Sequence, residues 1–288
     1  MNEIEEANRI NQNIGDATKQ TYIYNYRRLM KLTNNEPVLN MSEDRLIKTI
    51  NQEGIPPQSK NVLLSVVINI RKSKGLTNDK LVKYRETTLF KEKLAYKEKK
   101  NAVLVNALPS LDDIETYTKD LYKKEQYVAY IVNFLMLRFG LRNKDLNLLI
   151  TKNKDVIKKG HKSQVNYLYV THKYVFFVRN DYKTHATYGQ QKHRVERLQF
   201  TKAVKAVLGD EYEIPLLKLP DGDPVSEESV SKIIQRFTYN NLGEGKYFKI
   251  QIQDLKKQNN IRRIKELSKS RGTDLTTLFQ EYDITNQN

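Results

Sequence analysis

The sequence predicts a mainly α-helical protein of two domains, the second carrying a small antiparallel β-sheet. Three observations lead there. Apolar residues recur at helical spacing along most of the chain, a Val-, Tyr- and Phe-rich stretch interrupts that pattern between residues 166 and 198, and a highly charged run, Lys91 to Lys100, separates two apolar regions. At 288 residues the chain is long enough for two cores, so the domains are placed at 1–100 and 101–288.

In the first domain, residues 1–16 read as a frayed end. Thr18 is the expected cap of a helix whose Tyr22, Ile23, Tyr26, Leu29 and Met30 form one buried face, with Lys19, Arg27, Arg28 and Lys31 solvated. A second helix is predicted over Ser42 to Asn51, stopped by Gly54 and Pro56-Pro57, and a third over Gln58 to Lys72. The fourth is expected from Asn78 towards Tyr96. Four helices with short loops make a small all-α domain.

Ser110 opens the second domain, with Asp113 completing a capping box for a helix to about Tyr122. A strongly apolar helix, Tyr127 to Phe139, follows and runs into Gly140. The strand pattern then covers Asn166 to Thr171, Tyr174 to Arg179 and Gln191 to Leu198, with His172-Lys173 as a tight hairpin. These predict a three-stranded antiparallel sheet. Helical spacing returns at Thr201 to Leu208 and Ser226 to Tyr239, and Ile252 to Phe279 reads as a basic helical pair broken at Gly272.

Fifty Lys and Arg against thirty-four Asp and Glu give a net charge of +16, which points to a polyanionic partner. Nucleic acid leads. No segment approaches the ~18 unbroken apolar residues of a membrane span, and the acidic, polar start of the chain is unlike a signal sequence. Cysteine is absent, which excludes disulfides and thiolate metal sites; His161, His172, His185 and His193 show no metal-ligand spacing. Neither metal, cofactor nor small-molecule substrate is expected. An AT-rich genome would also enrich Lys, Asn and Ile, so part of the basicity can be background.

The residues most able to carry chemistry begin at Gly140-Leu141-Arg142-Asn143-Lys144-Asp145-Leu146. Glycine can take the positive φ that ends a helix, which leaves Arg142 just past the helix end beside apolar residues. There its planar fork either complements the helix dipole or meets a phosphate. Two further features bear on that choice: Lys183 in the turn Val178-Arg179-Asn180-Asp181-Tyr182-Lys183-Thr184-His185-Ala186-Thr187-Tyr188-Gly189, and a tail crowded with Lys246, Lys249, Lys256, Lys257, Arg262, Arg263, Lys265, Lys269 and Arg271.

Together these residues resemble the tyrosine recombinase or phage-integrase family, and the Tyr-Lys-Thr…Tyr-Gly wording resembles integrase-like proteins of large DNA viruses and virophages. The resemblance implies a helical core-binding-like domain at 1–100 and an α+β catalytic-like domain at 101–288, with Arg142 and Lys183 at a scissile phosphate. It further implies a second arginine in a His-x-x-Arg pattern and a tyrosine that forms a covalent 3′-phosphotyrosine without metal. Here the matching stretch is Gln253-Asp254-Leu255-Lys256, so a lysine stands for the arginine. Tyr282 fits a supporting position better than the attacking one.

The catalytic set is therefore Arg142, Lys183, Lys256 and, by displacement, Tyr282. The resemblance implies double-stranded DNA as partner, touched by Arg142, Lys183, Lys192, Arg194, Lys256, Lys257, Arg262 and Arg263, with room for self-association on DNA. The expected function is a sequence-tolerant, non-cleaving clamp on duplex DNA, acting inside a cell or virus particle. An active recombinase using Tyr282, or a tyrosine beyond Asn288, is the alternative, and a basic scaffold for protein or RNA is the third reading.

Overall fold

The charged run at the expected domain boundary is helical. In the computed structural model, which describes residues 2–283 except 12, 53, 159–162, 183–184, 186–188 and 220, it lies within a helix Thr88–Ala107. Two units, Met1–Val103 and Leu104–Asn288, divide inside that helix.

The first unit contains α1 (Glu3–Ile10), α2 (Asp16–Leu32), α3 (Glu43–Ile50), α4 (Pro57–Ser73), α5 (Asp79–Glu86) and the body of α6 (Thr88–Ala107). Two expectations are corrected here. The start of the chain is an ordered helix: Asn2 and Glu5 form a reciprocal capping box, Ile4 and Ala7 are fully buried, and the Glu3 carboxylate accepts the backbone N–H groups of Val38 and Leu39 at 3.1 Å each. Of its acidic residues, Glu3 turns to cap another turn. The predicted fourth helix is two helices, so the domain exceeds four. At the break, the Thr87 hydroxyl donates to the Lys83 carbonyl at 2.7 Å, the local back-bonding that competes with helix continuation. α4 is the centre of this unit's core, with Leu63, Leu64, Val66, Val67 and Ile70 all fully buried.

The second unit contains α7 (Leu111–Lys123), α8 (Tyr127–Phe139), β1 (Leu148–Thr151), β2 (Asn166–Val170), β3 (Val175–Arg179), β4 (Gln191–Val195), α9 (Leu198–Leu208), β5 (Glu213–Pro215), α10 (Glu227–Phe237), α11 (Glu244–Lys257), α12 (Ile261–Arg271) and α13 (Leu275–Tyr282). The fold is mainly α with a small sheet, as expected. That sheet, however, has five strands in the order β4-β3-β2-β1-β5 and is mixed: β1 runs parallel to β2, and the other pairs are antiparallel. β1 and β5 escape sequence patterning because four and three residues are too short to display alternation.

α8 is the core of this unit. Ile131 to Met136 are buried in succession, covered by the sheet, α7, α9 and α10. The tail is three helices rather than two, because a turn at Asn259, whose φ is +52°, ends α11 before residue 261 and Asn260 caps α12, in addition to the break at Gly272. Phe248, Ile252, Leu255, Ile264, Leu267 and Leu278 give it an apolar core of its own.

Candidate functional site

α8 delivers the site. Its end is fixed at Gly140, where φ is +60° and a Cβ would come within 2.6 Å of the Phe248 ring. Both the left-handed backbone and the close approach of α11 require glycine there. The chain turns so that the Arg142 N–H meets the Asp145 carboxylate at 3.0 Å. The half-buried Arg142 guanidinium then donates Nη1 to the Arg271 carbonyl at 2.6 Å and Nη2 to the Thr273 hydroxyl at 3.3 Å.

Two more arginines converge on the same place. Arg179 ends β3, and the two-residue period of a strand sets it on the buried face with Val175 and Phe177. It is fully buried, paired to Asp145 at 2.8 Å, and also donates to the Ser270 carbonyl and to Gln191. Arg271, 1% exposed, donates to the carbonyls of Gly140 and Leu141 at 2.8 and 3.1 Å, to Glu244 at 2.9 Å and to the Tyr282 hydroxyl at 3.2 Å. Its guanidinium lies 4.4 Å over the Phe248 ring, whose edge-on neighbour is Tyr282. Glu244 also accepts the Asn143 N–H.

Three guanidinium groups thus surround two carboxylates, leaving one positive charge in excess. Burial, reinforced by Arg271, depresses the Arg142 pKa, yet arginine remains charged at any working pH. Burial pushes the Asp145 carboxyl up, while Arg179 and the Arg142 N–H oppose that shift. Arg142 commits two of its five N–H donors to partners among the described residues, so the fork is only partly occupied.

The remaining sequence-derived candidates scatter around this centre. Lys183 lies outside the described residues. Tyr282 joins the cluster through Arg271. Lys256 is engaged by the fully buried Asp283 carboxylate. Lys192 and Arg194 stand exposed on β4; Lys192 reaches the Ile157 carbonyl, while Arg194 covers the Tyr174 ring at 3.7 Å and pairs with Glu196. Lys257 is exposed in the last turn of α11. Arg262 and Arg263 share Glu266, the first with a 92% exposed side chain and the second tucked against the Arg138 carbonyl. Sequence reasoning missed the buried roles of Asp145, Arg179, Glu244 and Arg271. Only Arg179 carried a signal, its inward phase at the end of a Val-Phe-Phe-Val strand.

No protein-family model and no curated protein matches the chain. Among solved structures, it is similar to a XerA recombinase at 10% identity, covering 99% of this chain and 93% of that one with a TM-score of 0.36. It is also similar to a lambda integrase dimer bound to a COC′ core site, at 12% identity over 99% and 77% of the two chains, with a TM-score of 0.49. At such low identity and TM-scores no residue role follows from either.

Proposed function

We propose that this chain is a relative of the tyrosine recombinases that grips double-stranded DNA without cutting it. The carrying observation is the arginine cluster: a half-buried Arg142 with donors to spare, seated in a group whose positive charges outnumber its carboxylates. A phosphate would neutralise that excess and accept the unused N–H groups. Around it the exposed cations Lys192, Arg194, Lys257 and Arg262 add sequence-independent attraction. Lys183 belongs to the same reading through the motif it sits in, and self-association along DNA is compatible with it.

Grip without cleavage rests on how the neighbouring cations are committed. Stabilising a phosphoryl transition state calls for a second fork aimed at the same oxygens; Arg179 and Arg271, the forks beside Arg142, are engaged by carbonyls and carboxylates, and the lysine at the matching position, Lys256, is taken up by Asp283. A duplex nicked to trap a covalent intermediate tests the reading. The expected result is saturable, salt-sensitive binding with no protein–DNA adduct after denaturation; an adduct would overturn it.

A second reading has one observation in its favour. The Tyr282 hydroxyl accepts a hydrogen bond from Arg271, so a tyrosine oxygen lies within the arginine cluster. In an active enzyme that oxygen would bond to phosphorus as the bond to the 5′ oxygen breaks, the leaving oxygen taking a proton. An adduct lost in Tyr282→Phe would establish this reading. Duplex RNA competing as well as duplex DNA would instead favour the general basic scaffold.

A further inference from the structure

The two faces of α2 meet different surroundings. Tyr22, Ile23, Tyr26, Leu29 and Met30 pack into the core of the first unit. The opposite face carries Gln20, Tyr24, Arg27 and Lys31, spaced as one stripe of a helix and all exposed, with the half-buried Arg28 beside them. At the middle of that stripe the Tyr24 ring is 70% exposed, one helical turn from Arg27 and Arg28. The stripe from Gln20 to Lys31 runs about 16 Å along the helix.

The charge on this face is unopposed. Among the described residues, Arg27, Arg28 and Lys31 have neither a carboxylate partner nor a side-chain hydrogen bond, and the Tyr24 hydroxyl has no partner either. The acid of α2, Asp16, is held by Lys19 at 3.5 Å. On the adjoining α1, Glu3 is bonded by Val38 and Leu39, Glu5 by Asn2 and Glu6 by Lys74. By contrast, Arg45 is paired with Glu36, Lys60 with Glu92 and Lys80 with Asp44. Free cations attract any polyanion, and the tyrosine narrows the choice. The bases of an intact duplex stack on one another, whereas those of a single strand offer a free face, and stacking on an aromatic ring suits any base.

We propose that the outer face of α2 binds single-stranded nucleic acid, with Tyr24 stacking on a base and Arg27, Arg28 and Lys31 meeting neighbouring phosphates. The site lies wholly in the first unit and does not rest on the arginine cluster of the second. A DNA strand and an RNA strand present the same base faces and phosphates.

Fluorescence anisotropy of the full chain with a short labelled oligo(dT), and with a labelled duplex, over a salt series tests the proposal. Saturable oligo(dT) binding is expected, weakened about tenfold by Tyr24→Ala and preserved by Tyr24→Phe, with duplex affinity unchanged by either. Arg27→Ala and Lys31→Ala are each expected to lower the salt slope of oligo(dT) binding by about 0.7. These positions are exposed, so the unfolding midpoint is expected to stay in place. The Tyr24→Ala effect on oligo(dT) is expected to persist in an Arg142→Ala background, which separates a failure of this site from a failure of the duplex grip. The stronger of unlabelled oligo(U) and oligo(dT) as competitor identifies the strand. Oligo(dT) affinity untouched by Tyr24→Ala, an equal loss for oligo(dT) and duplex, or oligo(dT) binding that never saturates would overturn the proposal.

Discussion

The arginines of the second unit fall into two groups that do opposite work. Arg179 and Arg271 are almost completely withdrawn from solvent, Arg179 held by one backbone carbonyl and a carboxylate and Arg271 by two carbonyls and a carboxylate. Arg194 and Arg262 stand in water, each paired with one exposed glutamate. The first group ties α8, β3, α11 and α12 together through directed bonds that a lysine does not reproduce. The second contributes little to stability and much to the field a polyanion meets. Arg142, half-buried, stands between them. The same residue type is architecture in one place and attraction in the other, and burial decides which.

The strongest way to break this comparison is to remove a buried arginine. Arg271→Met abandons the carbonyls of Gly140 and Leu141 and leaves Glu244 without its cationic partner, so urea unfolding is expected to show a loss of about 3–5 kcal/mol. Pairing it with Glu244→Gln is expected to recover part of that loss. Gly140→Ala attacks the joint between α8 and α11. A left-handed alanine costs about 1–2 kcal/mol and the contact with Phe248 about 1–3 more, so a total of roughly 2–5 is expected in the same assay.

His193 offers a test by pH. Burial between Phe139 and Phe177, with Arg179 and Arg138 nearby, pushes its pKa down to about 4 from an ordinary 6.5. In that interval the unfolded chain binds a proton that the folded chain does not. Stability from the neutral ring is therefore complete above pH 6.5 and is lost as pH falls towards 4, by up to about 3 kcal/mol. His193→Phe is expected to flatten the pH dependence of the unfolding free energy within that window; an unchanged slope would remove His193 as its source.

The exposed cations complete the comparison with the smallest effect on stability. Arg262→Ala and Lys257→Ala are expected to change the unfolding free energy by less than about 0.5 kcal/mol, while each lowers the salt slope of duplex binding by about 1. A slope unmoved by both would leave these residues outside the DNA surface.

What was legible in the sequence divides along the same line. Long apolar periods gave away α4 and α8, and a glycine after an apolar helix located the Arg142 turn, because those signals are local. β1 and β5 were too short to show a period. α1 reads as frayed from sequence, because the contacts that hold it, Glu3 to Val38 and Leu39, lie thirty-five and thirty-six residues away. The arginine cluster is non-local: Arg179 and Asp145 are thirty-four residues apart, and Arg271 reaches Gly140 across one hundred and thirty-one. No spacing rule joins such pairs. The charged tail therefore read as a uniform basic face, although Arg271 points into the interior.

Duplex binding across a salt series tests the central claim most directly. If a basic surface anchored at Arg142 grips the DNA backbone, the logarithm of the affinity falls linearly with the logarithm of salt, with a slope of about −0.9 for each phosphate neutralised, and Arg142→Ala weakens binding of unrelated duplexes equally. Binding that is insensitive to salt, or an Arg142→Ala protein that holds every duplex as tightly as the parent chain, would contradict it.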